Sequence, residues 1–247
     1  MGTSTSGTAG IGADDLALTS LALAGAFAAG ATMWCCSRRW PDHARHVAVE
    51  FVHPVVTGTR ALPAVAVEAD DAAGRLRVLG ATGDILVGLG AADDPVIPSL
   101  VRRAGAWGLH TVWIGAGRRP DPGAADFVLW SEDPAAPWSG ELVRTYHLLW
   151  ELTHVCVAHP GLLRVQPQVC EDEVCVTCSD EGRLAEIVSV GEDGLAQVRT
   201  PLGLEPADTT LLEDPRAGDL VLVHAGTAVT VVERGDAGTL PGSGEPG

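Results

Sequence analysis

The 247-residue chain contains no lysine and no asparagine. All 16 basic residues are arginine, set against 32 acidic ones, for a formal net charge of -16. Without lysine there is no Walker-A phosphate loop and no Schiff-base catalysis. Without asparagine there is no N-glycosylation. The acidic balance repels phosphate backbones, so no nucleic-acid partner is expected. Six cysteines are too few for a disulfide-built scaffold at this length. A basic leader is missing, and Asp14 and Asp15 precede the first apolar run, so the expectation is a protein of the reducing cytoplasm without a signal peptide. The run Leu16 to Met33 is about one membrane span long. It is rich in alanine and glycine and leads into an ordinary α/β pattern, so it reads as a buried first helix, with no membrane partner.

What is present suffices for a sizeable core, since 46% of the residues are apolar. Residues 1–13 read as a tail. From 14 to 160, apolar strands alternate with helices. Strands are expected near Gly30–Cys36, Leu62–Val67, Asp84–Leu89, Thr111–Ile114 and Phe127–Trp130. A helix from 40 is ended by Pro54. Helices are also expected over Pro98–Trp107 and Ser139–Ala158, the latter stopped by Pro160-Gly161. The fully apolar run at Ile85–Leu89 is the mark of a central parallel strand. The fold class that follows is α/β, a doubly wound parallel-sheet sandwich. Residues 161–173 read as a linker. Residues 174–235 are β-rich, with short strands at Arg183–Val190, Ala196–Thr200, Thr209–Leu212 and Leu220–Val232, which suggests a small barrel. Residues 236–247 form a Gly/Pro tail.

The stretch Asp42-His43-Ala44-Arg45-His46-Val47-Ala48-Val49-Glu50-Phe51 resembles a helix of SIS-domain proteins of the phosphoheptose isomerase type. Gly83-Asp84-Ile85-Leu86-Val87-Gly88 and His147-Leu148-Leu149-Trp150-Glu151-Leu152 match in order further along. The resemblance covers about 15–160. It implies an SIS-like sandwich that pairs into a homodimer, with Glu50 in acid/base chemistry and His147 as its partner. The phosphate loops differ. Where the family has a GNGGS turn, this chain has Cys36-Ser37-Arg38-Arg39-Trp40, and where it has STSG, this chain has Gly90-Ala91-Ala92-Asp93. Arg38 and Arg39 are candidate anion ligands in their place. His43, His46 and Glu50 share one helical face, and His46-x-x-x-Glu50 is a candidate metal pair.

In the second half, Val174-Cys175-Val176-Thr177-Cys178 precedes a strand, and Gly218-Asp219-Leu220-Val221-Leu222-Val223-His224-Ala225-Gly226 follows downstream. The pair resembles the HypC/HupF family of [NiFe]-hydrogenase maturation chaperones. The resemblance implies a HypC-like β-barrel that carries a transient iron fragment with cyanide and carbonyl ligands. It would hold that fragment on Cys175, with Cys178 and His224 in support. Its partners would be a HypD-type scaffold and a hydrogenase large-subunit precursor. No tightly bound cofactor is expected.

The leading expectation is therefore a hydrogenase-maturation accessory protein with a degenerate SIS domain. One alternative is a sugar-phosphate isomerase or sugar-phosphate-binding protein using Glu50 and His147. Another is a redox or metal-binding protein built on Cys170, Cys175 and Cys178. Cys35 and Cys36 point to opposite sheet faces and read as packing residues.

Overall fold

The computed structural model describes residues 11–54, 60–163, 182–191 and 193–235. They fall into two compact units, one on either side of position 172.

The first unit is built on five strands: β1 (Met33–Ser37), β2 (Ala64–Glu68), β3 (Ile85–Leu89), β4 (His110–Ala116) and β5 (Phe127–Ser131). All neighbouring pairs are parallel, in the order β2-β1-β3-β4-β5. Every residue of β1 and β3 is buried, as a strand covered on both faces requires. Six helices accompany the sheet: α1 (Ala13–Ala29), α2 (Pro41–Val52), α3 (Ala72–Leu79), α4 (Ile97–Ala106), the short α5 (Ala136–Ser139) and α6 (Glu141–Ala158). Two separate apolar clusters result. Leu23 and Phe27 of α1, Val47 and Phe51 of α2, and Tyr146 and Leu149 of α6 pack with Cys35 on one face of the sheet. Leu76 of α3 and Leu100, Val101 and Ala104 of α4 pack with Cys36 on the other. Adjacent cysteines thus enter opposite layers. Burial, followed by repulsion from nearby acids, pushes the Cys36 thiol up to about 12, so it is a packing group and not a nucleophile.

The helix over 14–29 is a core element of this unit. No helix among the described residues is long and apolar enough to cross a membrane. The helix expected from 40 begins at Pro41 and ends at Val52, ahead of Pro54, because a residue preceding proline is pushed out of the helical region.

The second unit is a closed barrel of β6 (Arg183–Val190), β7 (Leu195–Thr200), β8 (Gly203–Asp208), β9 (Leu220–His224) and β10 (Thr227–Glu233). Ala185, Ile187, Val198, Val221, Val223 and Ala228 fill it. Two expectations shift here. Thr209–Leu212 is not a strand, and β8 lies just before it. Its Pro206 and its acids disguise it in the sequence, although Pro206 stands opposite Gln197 within the ladder. The run Leu220–Val232 is a hairpin. Ala225 (φ 47°) and Gly226 (φ 79°) turn the chain, and two successive positive φ values are what a two-residue hairpin turn needs. Ladders β6–β7, β7–β8, β6–β9 and β9–β10 are antiparallel, whereas the closure between β10 and β8 is parallel and rests on a single pair, Thr227 opposite Asp208.

Candidate active site on the helix pair

Helices α2 and α6 lie against each other and bring one polar face from each together. On α2 the spacing of His43, His46 and Glu50 lines up a single face, and His53 follows just past the end of the helix. On α6 the facing residues are Tyr146, His147 and Trp150.

At the centre, His46 Nε2 lies 3.0 Å from Glu50 Oε1. His147 Nε2 lies 3.8 Å from the same oxygen and 3.4 Å from His46 Nε2. The Glu50 side chain is 22% exposed, so it is sheltered yet reachable from solvent. The His147 ring sits edge-on to His46, with centroids 5.1 Å apart. Trp150 anchors the far end of the seam by donating from Nε1 to the carbonyl of His53 at 2.9 Å.

Behind His46 stands Tyr146, the chain's single tyrosine, fully buried. Its hydroxyl is 2.8 Å from His46 Nδ1 and 3.3 Å from His43 Nδ1. His43 Nε2 is 3.1 Å from the carbonyl of Pro137, which can only accept, so that nitrogen carries the proton. The Tyr146 hydroxyl has one proton and two histidine nitrogens within reach, the closer being His46 Nδ1. When it donates there, the His46 Nε2–H is directed at Glu50 Oε1 and donates to it at 3.0 Å. Burial, with Glu50 adding to it, pushes the Tyr146 hydroxyl up to about 12, so it stays protonated as a fixed link. Tyr146 escapes a reading of the sequence because one tyrosine in an amphipathic helix looks like core. Its position beside His147 is the only signal.

One ligand atom from each of His46, Glu50 and His147 lies within 4.8 Å of the others. Two imidazoles and a carboxylate suit a divalent transition metal, so these three residues fit one as donors.

The remaining expected site residues fall elsewhere. Arg38 and Arg39 lie in the turn after β1. Arg38 pairs with Asp70 at 2.8 Å, and Arg39 with Asp93 at 3.1 Å. That turn forms without glycine, because Ser37 Oγ accepts the Trp40 N–H at 2.9 Å, and the Trp40 indole is buried in the core. His224 is half-buried near the end of β9, opposite Thr227. Cys170, Cys175 and Cys178 lie outside the described residues.

No family model matches the chain. No curated protein matches it either. Solved structures do. A phosphoheptose isomerase from Francisella tularensis superposes with a TM-score of 0.51 at 18% identity, over 58% of this chain and 86% of that one. A phosphoheptose isomerase from Neisseria gonorrhoeae gives a TM-score of 0.46 at 17% identity, over 59% of this chain and 86% of that one. The first of these overturns the expectation of a hydrogenase-maturation protein, because the α/β unit has the fold of a phosphoheptose isomerase. The superpositions show no link to hydrogenases or to a HypD-type scaffold, and no likeness of the barrel to HypC. The string behind that expectation has a local explanation. Gly218 (φ 91°) turns the chain into β9, and the Asp219 carboxylate accepts the N–H groups of Arg216 and Gly235 at 3.0 and 2.8 Å. Gly83 (φ 88°) and Asp84 do the same at the entry to β3, with Asp84 accepting from Thr32 N, Ala81 N and Trp34 Nε1. Glycine followed by a buried aspartate is thus a strand-entry device that both units use. The parallel α/β unit has the fold of the Francisella tularensis phosphoheptose isomerase.

Proposed function

We propose that the α/β unit interconverts an aldose and a ketose, with Glu50 moving the proton between the two carbons. The observation that carries this reading is the convergence of Glu50 with His46 and His147 across the α2–α6 seam. Isomerisation removes the proton from the carbon next to a carbonyl and returns it to the former carbonyl carbon. A carboxylate reachable from solvent suits that transfer. The hydroxyl and carbonyl oxygens must exchange a proton at the same time, and the neighbouring imidazole of His147 is placed to carry it. His46, held from behind by Tyr146, orients Glu50. No net oxidation occurs, so no redox cofactor is called for.

A second reading keeps the same residues as donors to a divalent metal, which would polarise the substrate carbonyl. One experiment separates the two. Purified protein is incubated with candidate aldoses in deuterium oxide, with and without a chelator. Deuterium uptake at the carbon beside the carbonyl should be fast in the wild type and fall by about 10^3-fold or more in Glu50→Gln. If the chelator abolishes uptake as completely as Glu50→Gln does, the metal reading replaces the simple base. If no sugar exchanges deuterium, the isomerase reading fails.

A further inference from the structure

In an open parallel sheet, ligands bind beyond the carboxyl ends of the strands where the strand order reverses. In the order β2-β1-β3-β4-β5 that point lies between β1 and β3. Two loops frame it: Arg38–Trp40 after β1 and Gly90–Val96 after β3. The latter leads into the amino terminus of α4, whose unpaired N–H groups favour an anion.

That position is already filled. Asp94 Oδ1 accepts the N–H groups of Val96 and Ile97 at 2.9 and 3.1 Å. The Asp94 side chain is wholly buried. Its second oxygen makes no hydrogen bond and faces Arg39 Nε at 3.9 Å. The other end of the Arg39 guanidinium is held by Asp93 at 3.1 Å, and Arg38 is turned to Asp70. The loop has no slack, because a Cβ on Gly90 would come within 3.0 Å of Ile97 and 3.3 Å of Asp94. Trp113 Nε1 holds the Gly90 carbonyl from beneath at 3.0 Å. Helix amides and an arginine, which together make an anion cradle, are here satisfied by a carboxylate of the chain itself.

We infer that Asp94 is a built-in anion at the sheet's switch point and a specificity-determining residue that excludes phosphate there. An incoming phosphate would meet a buried carboxylate on the same two amides, and the two arginines on that edge are engaged by acids. The substrate class that follows is an unphosphorylated polyhydroxy carbonyl compound. This last step rests on the isomerase reading, whereas the exclusion of phosphate does not.

The test is a titration of the full chain with inorganic phosphate, followed through the amide signals of Val96 and Ile97. It is paired with a deuterium-uptake assay on sedoheptulose and on sedoheptulose 7-phosphate. The wild type should show no saturable shift up to roughly 50 mM phosphate. Asp94→Ser removes the buried negative charge and leaves a hydroxyl that can accept from these amides or donate to a phosphate oxygen, with Arg39 still held by Asp93, and should gain saturable millimolar binding. Asp94→Asn keeps an acceptor on the same amides while losing the charge, so it preserves the fold if the serine variant does not, and it should gain weaker but measurable binding. The free sugar should exchange at least about tenfold faster than its phosphate ester. Saturable phosphate binding at these amides in the wild type overturns the inference. So does a folded Asp94→Asn or Asp94→Ser that gains nothing, or preference for the phosphate ester. Exchange of neither sugar, together with phosphate binding gained only in the variants, defeats the isomerase reading and leaves the role of Asp94 supported.

Discussion

Single residues in the α/β unit divide by what their nitrogen and oxygen atoms can reach. Glu50 and His147 are marked by residue type and by their resemblance to a known helix. Tyr146 is not, because its partners His43 and His46 are far away in the chain, and neither is Asp94, whose amide partners are local but whose facing Arg39 is distant. His154 is a further case, one turn beyond Trp150 on α6. It is fully buried, with the Trp150 ring edge-on at 6.0 Å. Burial lowers its pKa, with a backbone contact to Phe51 opposing the shift in part. The native state therefore prefers the neutral imidazole. Unfolded histidine titrates near 6.5. The stability contributed by keeping His154 neutral is complete above about that pH and is lost as pH falls through the lower native value. Urea midpoints measured from pH 7.5 down to 5 should decline less steeply in His154→Gln than in the wild type. Equal slopes would assign the acid sensitivity to other groups.

At the scale of elements, the apolar runs made the parallel strands legible, and the proline and glycine signals bounded α2 and α6. β8 was obscured because Pro206, Glu205 and Asp208 do not look like strand residues, yet the closed barrel seats them. The Gly-Asp strings at 83–84 and 218–219 are conspicuous in the sequence, and each marks the entry to a strand. Each aspartate is buried and collects donors from segments distant in the chain. A charge-accepting residue with three donors is costly to remove, since backbone N–H groups at both sites, and the Trp34 indole N–H at Asp84, lose their acceptor. Asp84→Ala and Asp219→Ala should each destabilise their unit by about 2–4 kcal/mol, read from denaturant midpoints. A loss under about 0.5 kcal/mol would mean that water replaces the carboxylate at no cost.

For the molecule as a whole, the division into two units with separate apolar clusters predicts two unfolding events. All seven tryptophans precede residue 151, and no Phe, Trp or Tyr follows it. Tryptophan emission therefore reports the α/β unit alone, while calorimetry sees both units. Heating should give two calorimetric transitions, only one of which coincides with the fluorescence change. Ala185→Asp, which places a charge in the barrel interior, should shift only the other. One coincident transition would show the units to be coupled.

Four of the five barrel ladders are antiparallel and run over several residue pairs, while the fifth is one parallel pair between Thr227 and Asp208, joined by the hydrogen bond from Asp208 N to the Gly226 carbonyl at 2.9 Å. A wall with one thin seam does not breathe evenly. Amide protons along β6, β7 and β9 should exchange with solvent slowest, and those at the β8–β10 join first. When the join parts, β8 and β10 become two bare edges, each able to pair with the same edge of another molecule. The closed wall hides two mutually complementary strips, and copies of the chain can link through them once heat parts the join at high concentration.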